Sequence, residues 1–283
     1  MNIKTVGVVG AGQMGSGIAQ VCAQSGYHVI ISDINKELLD RGMGVINGAL
    51  AKAVEKGKMS EDAKKTVQQR LKGTLSFDDY KPCDIVIEAA IEDMAEKRRI
   101  FSSLDRICPP ETILASNTSC LSVMEMAMST KRPAQVLGLH FFNPVPVMKP
   151  VEIVRTLVTS DATIGTVRAF SESLGKKVII AKDVPGFIVN RLLIPYLLDA
   201  VRLLESGTAS KEDIDDGMVL GCNHPMGPLA LADFIGLDTV FFIANALYDE
   251  FKDPKCAPPP LLRKMVTAGY LGRKRGKGFF DYK

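Results

Sequence analysis

The residue best suited to acid–base chemistry is His140, in the run His140-Phe141-Phe142-Asn143-Pro144. It ends a short apolar run, Val136–His140, which predicts a β-strand. Ligands of open α/β sheets bind beyond the carboxyl ends of strands. A histidine at that place can exchange a proton with a substrate hydroxyl near neutral pH. A lone histidine at a strand end is more often a structural residue that caps the strand.

Glu152 favours the catalytic interpretation of His140. It lies within the apolar, strand-like run Val151–Val154, and a buried carboxylate needs a partner. Pairing with His140 would orient the imidazole and stabilise its protonated form, as the acid does in a Ser-His-Asp triad. The alternative is an edge-strand residue that faces water. Glu88, which follows Ile85–Ile87, has the same two interpretations.

Two further polar sites are candidates for binding. Ser116-Asn117-Thr118-Ser119 follows another predicted strand, where small polar side chains could bind a substrate oxygen or the nicotinamide ribose. Such residues also cap helices routinely. Asn190 lies in the apolar helical pattern Phe187–Leu198, either on the helix surface or lining a pocket.

A glycine-rich run predicts a dinucleotide site. Gly10-Ala11-Gly12-Gln13-Met14-Gly15 follows the first strand and opens the first helix. Gly10 permits the tight turn, Gly12 allows close approach of a pyrophosphate, and Gly15 allows helix and sheet to pack closely. The helix N-terminus offers free N–H groups to the phosphates. Asp33, at the end of the second strand, can accept hydrogen bonds from the ribose and repels a 2′-phosphate, which favours NAD over NADP.

The elements around these residues alternate between strand and helix in the first half of the chain. This pattern predicts an α/β fold with a parallel sheet covered on both faces, a Rossmann-type NAD-binding domain. The predicted strands are Val6–Val9, His28–Ser32, Asp84–Glu88, Thr112–Ser116, Val136–His140 and Val151–Val154. The predicted helices are Gln13–Ser25, Lys36–Lys56, Ser60–Leu71, Met94–Ile107 and Leu121–Met128.

The second half predicts an all-α C-terminal domain. Its helical patterns are Phe187–Leu204, Lys211–Gly221, Pro228–Glu250 and Leu261–Ala268, and strand signals are missing. Proline and glycine interrupt the pattern near Asp183–Gly186, so we expect domains at residues 1–185 and 186–283.

Composition restricts the class of protein. The 283 residues are 46% hydrophobic and 24% charged, with a formal charge of +3, which does not favour a nucleic-acid or membrane partner. Six cysteines without a C-x-x-C pair indicate reduced thiols, and three histidines without ligand spacing argue against a metal site. The N-terminal run shows no signal or transit pattern. We expect a cytoplasmic protein.

The ordered motifs resemble the 3-hydroxyacyl-CoA dehydrogenase family. The resemblance is carried by Gly7-Val8-Val9-Gly10-Ala11-Gly12-Gln13-Met14-Gly15, Ser116-Asn117-Thr118-Ser119, His140-Phe141-Phe142-Asn143-Pro144, Asp183-Val184-Pro185-Gly186-Phe187-Ile188-Val189-Asn190-Arg191 and His224-Pro225-Met226-Gly227-Pro228. It runs from the first strand to the Gly276–Tyr282 tail, and the length is similar to that of single-function bacterial members that act on 3-hydroxybutyryl-CoA.

The resemblance implies a role for each matching residue. His140 would be the general acid/base, Glu152 its orienting partner, and Ser119 and Asn190 ligands of the substrate oxygens. The residues expected at the cofactor NAD are Gly10, Gly12, Gln13, Met14, Gly15, Asp33, Glu92, Lys97, Asn117, Ser119, Asn143 and Lys274.

The acyl-CoA contacts implied by the resemblance lie on the helix after the second strand. Lys56 matches a family position there, and Lys52 lies one turn earlier on the same face. A solvated helix face is the alternative. Ala49 replaces a serine that contacts CoA in some relatives, which leaves the detail of CoA binding open.

The function implied is NAD-dependent interconversion of (S)-3-hydroxybutyryl-CoA and acetoacetyl-CoA by a homodimer or higher homo-oligomer. One rival is a dehydrogenase of free hydroxyacids, similar to L-gulonate 3-dehydrogenase. The other is a non-catalytic, crystallin-like dinucleotide-binding protein. A requirement for the CoA thioester would distinguish the implied function from a dehydrogenase of free hydroxyacids. Turnover of a hydroxyacid substrate would distinguish it from a non-catalytic protein.

Overall fold

The computed structural model describes residues 3–282, which form two compact units that divide between Asp183 and Val184. The first unit is an α/β domain and the second is helical, so the predicted fold class is confirmed.

Over the described residues 3–183, the first unit has eight strands and six α-helices. The strands are β1 (Thr5–Val9), β2 (His28–Ser32), β3 (Leu71–Thr74), β4 (Ile85–Glu88), β5 (Ile113–Ser116), β6 (Val136–Phe141), β7 (Pro150–Arg155) and β8 (Lys177–Lys182). The helices are α1 (Gln13–Gln24), α2 (Lys36–Glu55), α3 (Glu61–Gln69), α4 (Met94–Ile107), α5 (Val123–Met128) and α6 (Asp161–Ser173).

The strands form one sheet in the order β3-β2-β1-β4-β5-β6-β7-β8. From β3 to β6 all pairs are parallel, and their carboxyl ends share one edge. The predicted parallel sheet is confirmed for these strands, and the exception in the sheet is β7, which runs antiparallel to β6. The strand order reverses between β1 and β4, which is the switch point where α/β sheets bind ligands.

The central strands read as apolar runs because both of their faces are buried. Every residue of β4, β5 and β6 is buried, as are Val6–Val9 of β1. The sequence missed β3, β8 and α6. Both strands lie at the ends of the sheet and are largely exposed or half-buried, so neither carries a continuous buried run.

The second unit consists of helices α7 (Val189–Glu205), α8 (Lys211–Cys222), α9 (Pro228–Ile235), α10 (Leu237–Phe251) and α11 (Pro260–Thr267). The prediction of a single helix over Pro228–Glu250 was wrong. The helix breaks at Gly236, where φ is +103° and the axis bends by 96°. Glycine adopts this conformation at little cost, and a Cβ there would lie 3.0 Å from the Lys274 Nζ.

No single helix within residues 3–282 is long and apolar enough to cross a membrane. The bent pair α9–α10 meets that length and composition only when both helices are counted together.

The C-terminal tail of the second unit is held by Asp233 of α9. The Asp233 carboxylate accepts hydrogen bonds from the amides of Phe279 and Phe280 and from the Tyr282 hydroxyl, each at 2.9 Å. Burial raises the pKa of Asp233, although these bonds oppose the shift. A Cβ at Gly278 would lie 1.9 Å from Asp233 Oδ1, so only glycine fits this contact.

Candidate active site

His140 and Glu152 form a buried pair at the carboxyl end of β6. Antiparallel pairing places them directly opposite each other, so both side chains leave the same face of the sheet. Nδ1 of His140 lies 2.7 Å from Oε2 of Glu152, and the carboxylate is fully buried. The Phe142 ring packs against the imidazole with centroids 4.6 Å apart. The edge-strand alternative for Glu152 is therefore wrong, and the pair can hold the imidazole in one orientation.

The glycine-rich loop has the geometry that a dinucleotide requires. Gly10 has φ +100°, and a Cβ at Gly15 would lie 1.8 Å from the Gly10 carbonyl oxygen. A Cβ at Gly12 would meet no atom within 4 Å, so this face of the loop is open. Gly12 is the N-cap of α1 without a side-chain cap, which leaves N–H groups for a phosphate. Gln13 is exposed and Met14 half-buried at the same helix start.

Gly42 of α2 is a further position near the glycine-rich loop where the fold requires glycine, and the glycine-rich motif does not include it. A Cβ at this position would lie 2.3 Å from the carbonyl oxygen of Ala11, so α2 packs against the glycine-rich loop from behind. Only the folded contact shows why this position takes glycine.

Asp33 is half-buried beside the loop. Its Oδ2 accepts a hydrogen bond from the Ala11 amide at 2.8 Å, and Oδ1 accepts one from the Ile34 amide at 2.7 Å. The carboxylate is thus fixed in place by two backbone donors, and each oxygen retains capacity to accept from a ribose hydroxyl.

A cleft of about 990 Å³ extends along the carboxyl ends of β1, β2 and β4. Gly10, Gly12 and Asp33 line it together with apolar side chains that the sequence analysis missed, and its size suits a cofactor. Ile34, Leu75 and Ile91 are more than half exposed. Each follows a strand end, and an apolar residue at such a place is the signal that could have found them. The loop, the cleft and Asp33 together fit NAD.

We expect the replacement of Asp33 by serine to lower the affinity for NADH about fivefold to tenfold. The same change should reduce the ratio of the affinity for NADH to the affinity for NADPH. The change removes charge-assisted hydrogen bonds and the repulsion of a 2′-phosphate. Titration calorimetry with both cofactors measures the effect. Asp40→Ser, which removes an exposed carboxylate of α2, is the control and should change neither affinity. An unaltered NADH/NADPH ratio in the Asp33 variant would contradict the assignment.

Ser119, which follows β5, belongs to a network of buried and half-buried polar groups at the carboxyl ends of β4 and β5. Oε1 of Glu92 accepts hydrogen bonds from the Ser119 amide at 2.8 Å, the Ser119 hydroxyl at 3.2 Å and the Thr118 hydroxyl at 2.9 Å. Lys97 is 1% exposed and lies between Glu88 and Glu92, with Nζ–O distances of 2.6 and 3.0 Å. Glu88 is therefore a buried, paired carboxylate and does not face water. The expected direct contact of Lys97 with the cofactor remains a prediction.

Asn117 follows β5 directly, and Asn143 lies two residues after the end of β6. Oδ1 of Asn117 accepts a hydrogen bond from the Phe141 amide at 2.9 Å and so ties β5 to β6. Asn143 is exposed in the loop after β6.

The buried Lys176 holds the loop that joins β6 to β7. Its ammonium donates to the carbonyl oxygens of Val145 and Met148, at 2.5 and 2.7 Å, and burial lowers its pKa. No pattern in the sequence indicates this contact, because a lysine before a strand is ordinarily exposed.

The remaining candidate residues lie on α2 and in the second unit. Lys52 and Lys56 are exposed at the C-terminal end of α2. In the second unit, Asn190 is half-buried in the first turn of α7, and Lys274 forms an ion pair with Asp238 at the start of α10. Their expected contacts with substrate and cofactor remain predictions.

Asp183 has a local role in the first unit. Its carboxylate accepts hydrogen bonds from the amides of Val123 and Met124 at 3.0 and 2.6 Å, so it satisfies donors at the start of α5.

Two family profiles match consecutive parts of the chain. The NAD binding domain of 3-hydroxyacyl-CoA dehydrogenase matches residues 5–184, and the C-terminal domain of the same family matches residues 186–282. The chain belongs to the 3-hydroxyacyl-CoA dehydrogenase family. The first unit is therefore its NAD-binding domain, and NAD is the cofactor.

Relatives of this family match over the full length. A probable 3-hydroxybutyryl-CoA dehydrogenase of Bacillus subtilis is 50% identical, over 100% of this chain and 98% of the relative. The crystal structure of Mycobacterium tuberculosis FadB2 is similar with a TM-score of 0.98 at 48% identity. That of (S)-3-hydroxybutyryl-CoA dehydrogenase PaaH1 from Ralstonia eutropha has a TM-score of 0.95 at 49% identity. Both comparisons cover 100% of each chain.

Proposed function

We propose that the protein interconverts (S)-3-hydroxybutyryl-CoA and acetoacetyl-CoA, with NAD⁺ or NADH as the hydride acceptor or donor. The observation that carries this proposal is the buried His140–Glu152 pair at the strand end, in a chain whose NAD-binding domain is of the 3-hydroxyacyl-CoA dehydrogenase family. The 3-hydroxybutyryl-CoA dehydrogenases that match over their full length support the choice of substrate.

In the oxidative direction, His140 accepts the proton of the 3-hydroxyl group at Nε2, the ring nitrogen opposite the one that Glu152 binds. Glu152 offsets the positive charge that develops on the imidazole and keeps the ring oriented. In the reductive direction the protonated His140 returns the proton to the forming alkoxide. Bound NAD supplies the hydride chemistry at C3.

Ser119 and Asn190 are proposed to bind the substrate oxygens and to fix the acyl group for proton transfer at His140. Alignment of the reacting groups is the main contribution that such residues make to the rate. The helical domain is proposed to bind the acyl-CoA and to form the contact of a homodimer, and we place the enzyme in the cytoplasm.

The decisive test follows NADH absorbance in three parallel assays. Two measure the oxidation of NADH with acetoacetyl-CoA and with acetoacetate, and the third measures the oxidation of L-gulonate with NAD⁺. We expect oxidation of NADH with the thioester only. Turnover of the free acid alone would favour the hydroxyacid dehydrogenase. Binding of NADH without turnover of any of them would favour the non-catalytic protein.

A second prediction concerns the CoA phosphates. We expect Lys52→Gln combined with Lys56→Gln to raise the KM for acetoacetyl-CoA about twofold to fivefold and to leave the KM for NADH unchanged, because two exposed positive charges near a phosphate contribute modestly. Added salt should reduce the difference between the variant and the wild type. Lys65→Gln, an exposed lysine of α3, is the control. Equal KM values at low salt would assign both lysines to a solvated helix face.

A further inference from the structure

The buried trio, defined here as Glu88, Lys97 and Glu92, carries more charge than the hydrogen bonds from Ser119 to Glu92 require. Two carboxylates and one ammonium have a formal net charge of −1. Side chains of Glu88 and Lys97 are 0% and 1% exposed, and that of Glu92 is 28% exposed. The uncompensated negative charge is therefore directed toward Glu92 and Ser119.

Glu88 is the member of the trio that leaves the charge of Glu92 uncompensated, because it pairs with Lys97. It accepts hydrogen bonds from the Ser116 hydroxyl at 2.6 Å, the Ala90 amide at 2.7 Å and the Lys97 ammonium at 2.6 Å. Without its charge, Lys97 would be neutralised by Glu92 alone. Burial disfavours the charged form of Lys97, but the two carboxylates outweigh this effect and hold its pKa above the ordinary value.

The position of the trio in the sheet places it on the nicotinamide side of the dinucleotide site. Asp33 marks the adenosine side, at the end of β2. Glu88 is the last residue of β4, which lies on the other side of β1, and Glu92 and Lys97 follow it in the chain. The Ala89 carbonyl oxygen lies 2.5 Å from where a Cβ of Gly10 would stand. Ser119 follows β5 and His140 lies near the carboxyl end of β6, so the trio lies on the same side of the switch point as the proposed chemistry.

The two forms of the cofactor differ in charge at this end. The nicotinamide ring is cationic in NAD⁺ and neutral in NADH. A fixed negative charge in a partly buried site stabilises the cation and has little effect on the neutral ring.

We propose that the buried trio sets the relative affinity for oxidised and reduced dinucleotide, with Glu88 as a positioning residue that keeps Lys97 from cancelling the charge of Glu92. This inference rests on the proposed function and extends it. The ratio of the two affinities determines which form of the cofactor the enzyme binds at given concentrations of NAD⁺ and NADH.

The test is a pair of variants that change the charge of the trio in opposite steps. Glu88→Gln keeps the size and the acceptor for Lys97 and changes the net charge from −1 to 0. We expect the NAD⁺ affinity to fall relative to that of NADH by roughly threefold to tenfold. Glu88→Gln combined with Lys97→Met makes both of these positions neutral and leaves Glu92 as the charged member of the trio, so the net charge is again −1. A neutral pair of similar volume can pack well in place of a buried ion pair, and the affinity ratio should return toward the wild-type value. Calorimetric titration with each cofactor form at fixed ionic strength gives the ratio.

The control is a second buried ion pair on the same helix. Asp105 of α4 binds Arg132 at 2.7 Å, about 12 Å further along the helix than Lys97. Asp105→Asn should lower the thermal unfolding midpoint and leave the affinity ratio unchanged, which separates a loss of stability from a change in charge.

An affinity ratio that is the same in Glu88→Gln and the wild type, or one that the double variant fails to restore, overturns the inference. If Glu88→Gln alone does not fold, the double variant is compared with a triple variant that adds Glu92→Gln. That step again removes one negative charge and must lower NAD⁺ affinity relative to NADH. A wild-type chain that binds neither form would instead contradict the proposed function.

Discussion

Replacing His140 with glutamine will lower kcat for acetoacetyl-CoA reduction by at least about 10²-fold, with NADH affinity unchanged. Proton transfer by a positioned side chain contributes about 10²- to 10⁴-fold, and glutamine cannot exchange a proton near neutral pH. Glutamine is similar in size and can still hydrogen-bond Glu152, which lies 2.7 Å from the imidazole. Stopped-flow measurement of single turnover gives the chemical step, and fluorescence titration gives the affinity for NADH.

The control for this variant is His28→Gln, at the start of β2, where the side chain is exposed. It should retain wild-type turnover. Near-normal turnover in His140→Gln would refute the assignment of this histidine as the acid/base and return it to a structural role.

Replacing Glu152 with glutamine will lower kcat roughly 10- to 100-fold. The fully buried carboxylate makes a charge-assisted hydrogen bond to His140, and such bonds contribute about 1.5–3 kcal/mol. The amide retains the shape of the side chain but no longer offsets the charge that develops on the imidazole. The rate of acetoacetyl-CoA reduction, measured from pH 5 to 9, tests this expectation.

Glu152→Gln also changes the burial of a charge, so its folding must be assessed separately. Thermal unfolding of the variant and of His140→Gln/Glu152→Gln shows how much stability the pair contributes. The double variant should be little slower than His140→Gln, because Glu152 acts through the histidine. Unchanged kinetics across pH in the single variant would assign Glu152 a structural role.

The sequence predicted those parts of the fold and site whose signals are local. The glycine-rich turn and Asp33 belong to one continuous βαβ segment, and the apolar runs of β1, β4 and β6 reflect burial on both faces. His140 and Glu152 could be proposed as partners because an apolar strand containing a carboxylate requires one.

The parts that were missed depend on contacts between distant segments. The walls of the cofactor cleft come from residues that follow different strands. At the break between α9 and α10, a Cβ on Gly236 would meet the tail residue Lys274 and Asp238. The antiparallel direction of β7 has a signal in the sequence, which is the length of the loop before it. Residues 142–149 are too few for the crossover of a dozen or more residues that parallel neighbours need.

The antiparallel register of β6 and β7 also bears on which changes of length the chain can tolerate. Because successive side chains of a strand alternate between faces, deletion of one residue between Glu152 and the end of β7 leaves the His140–Glu152 pair in place. Deletion of Val151 would move Glu152 to the opposite face if the strand kept its pairing from the loop side. Insertions and deletions among homologues should therefore concentrate in residues 142–149 and be rare inside the two strands.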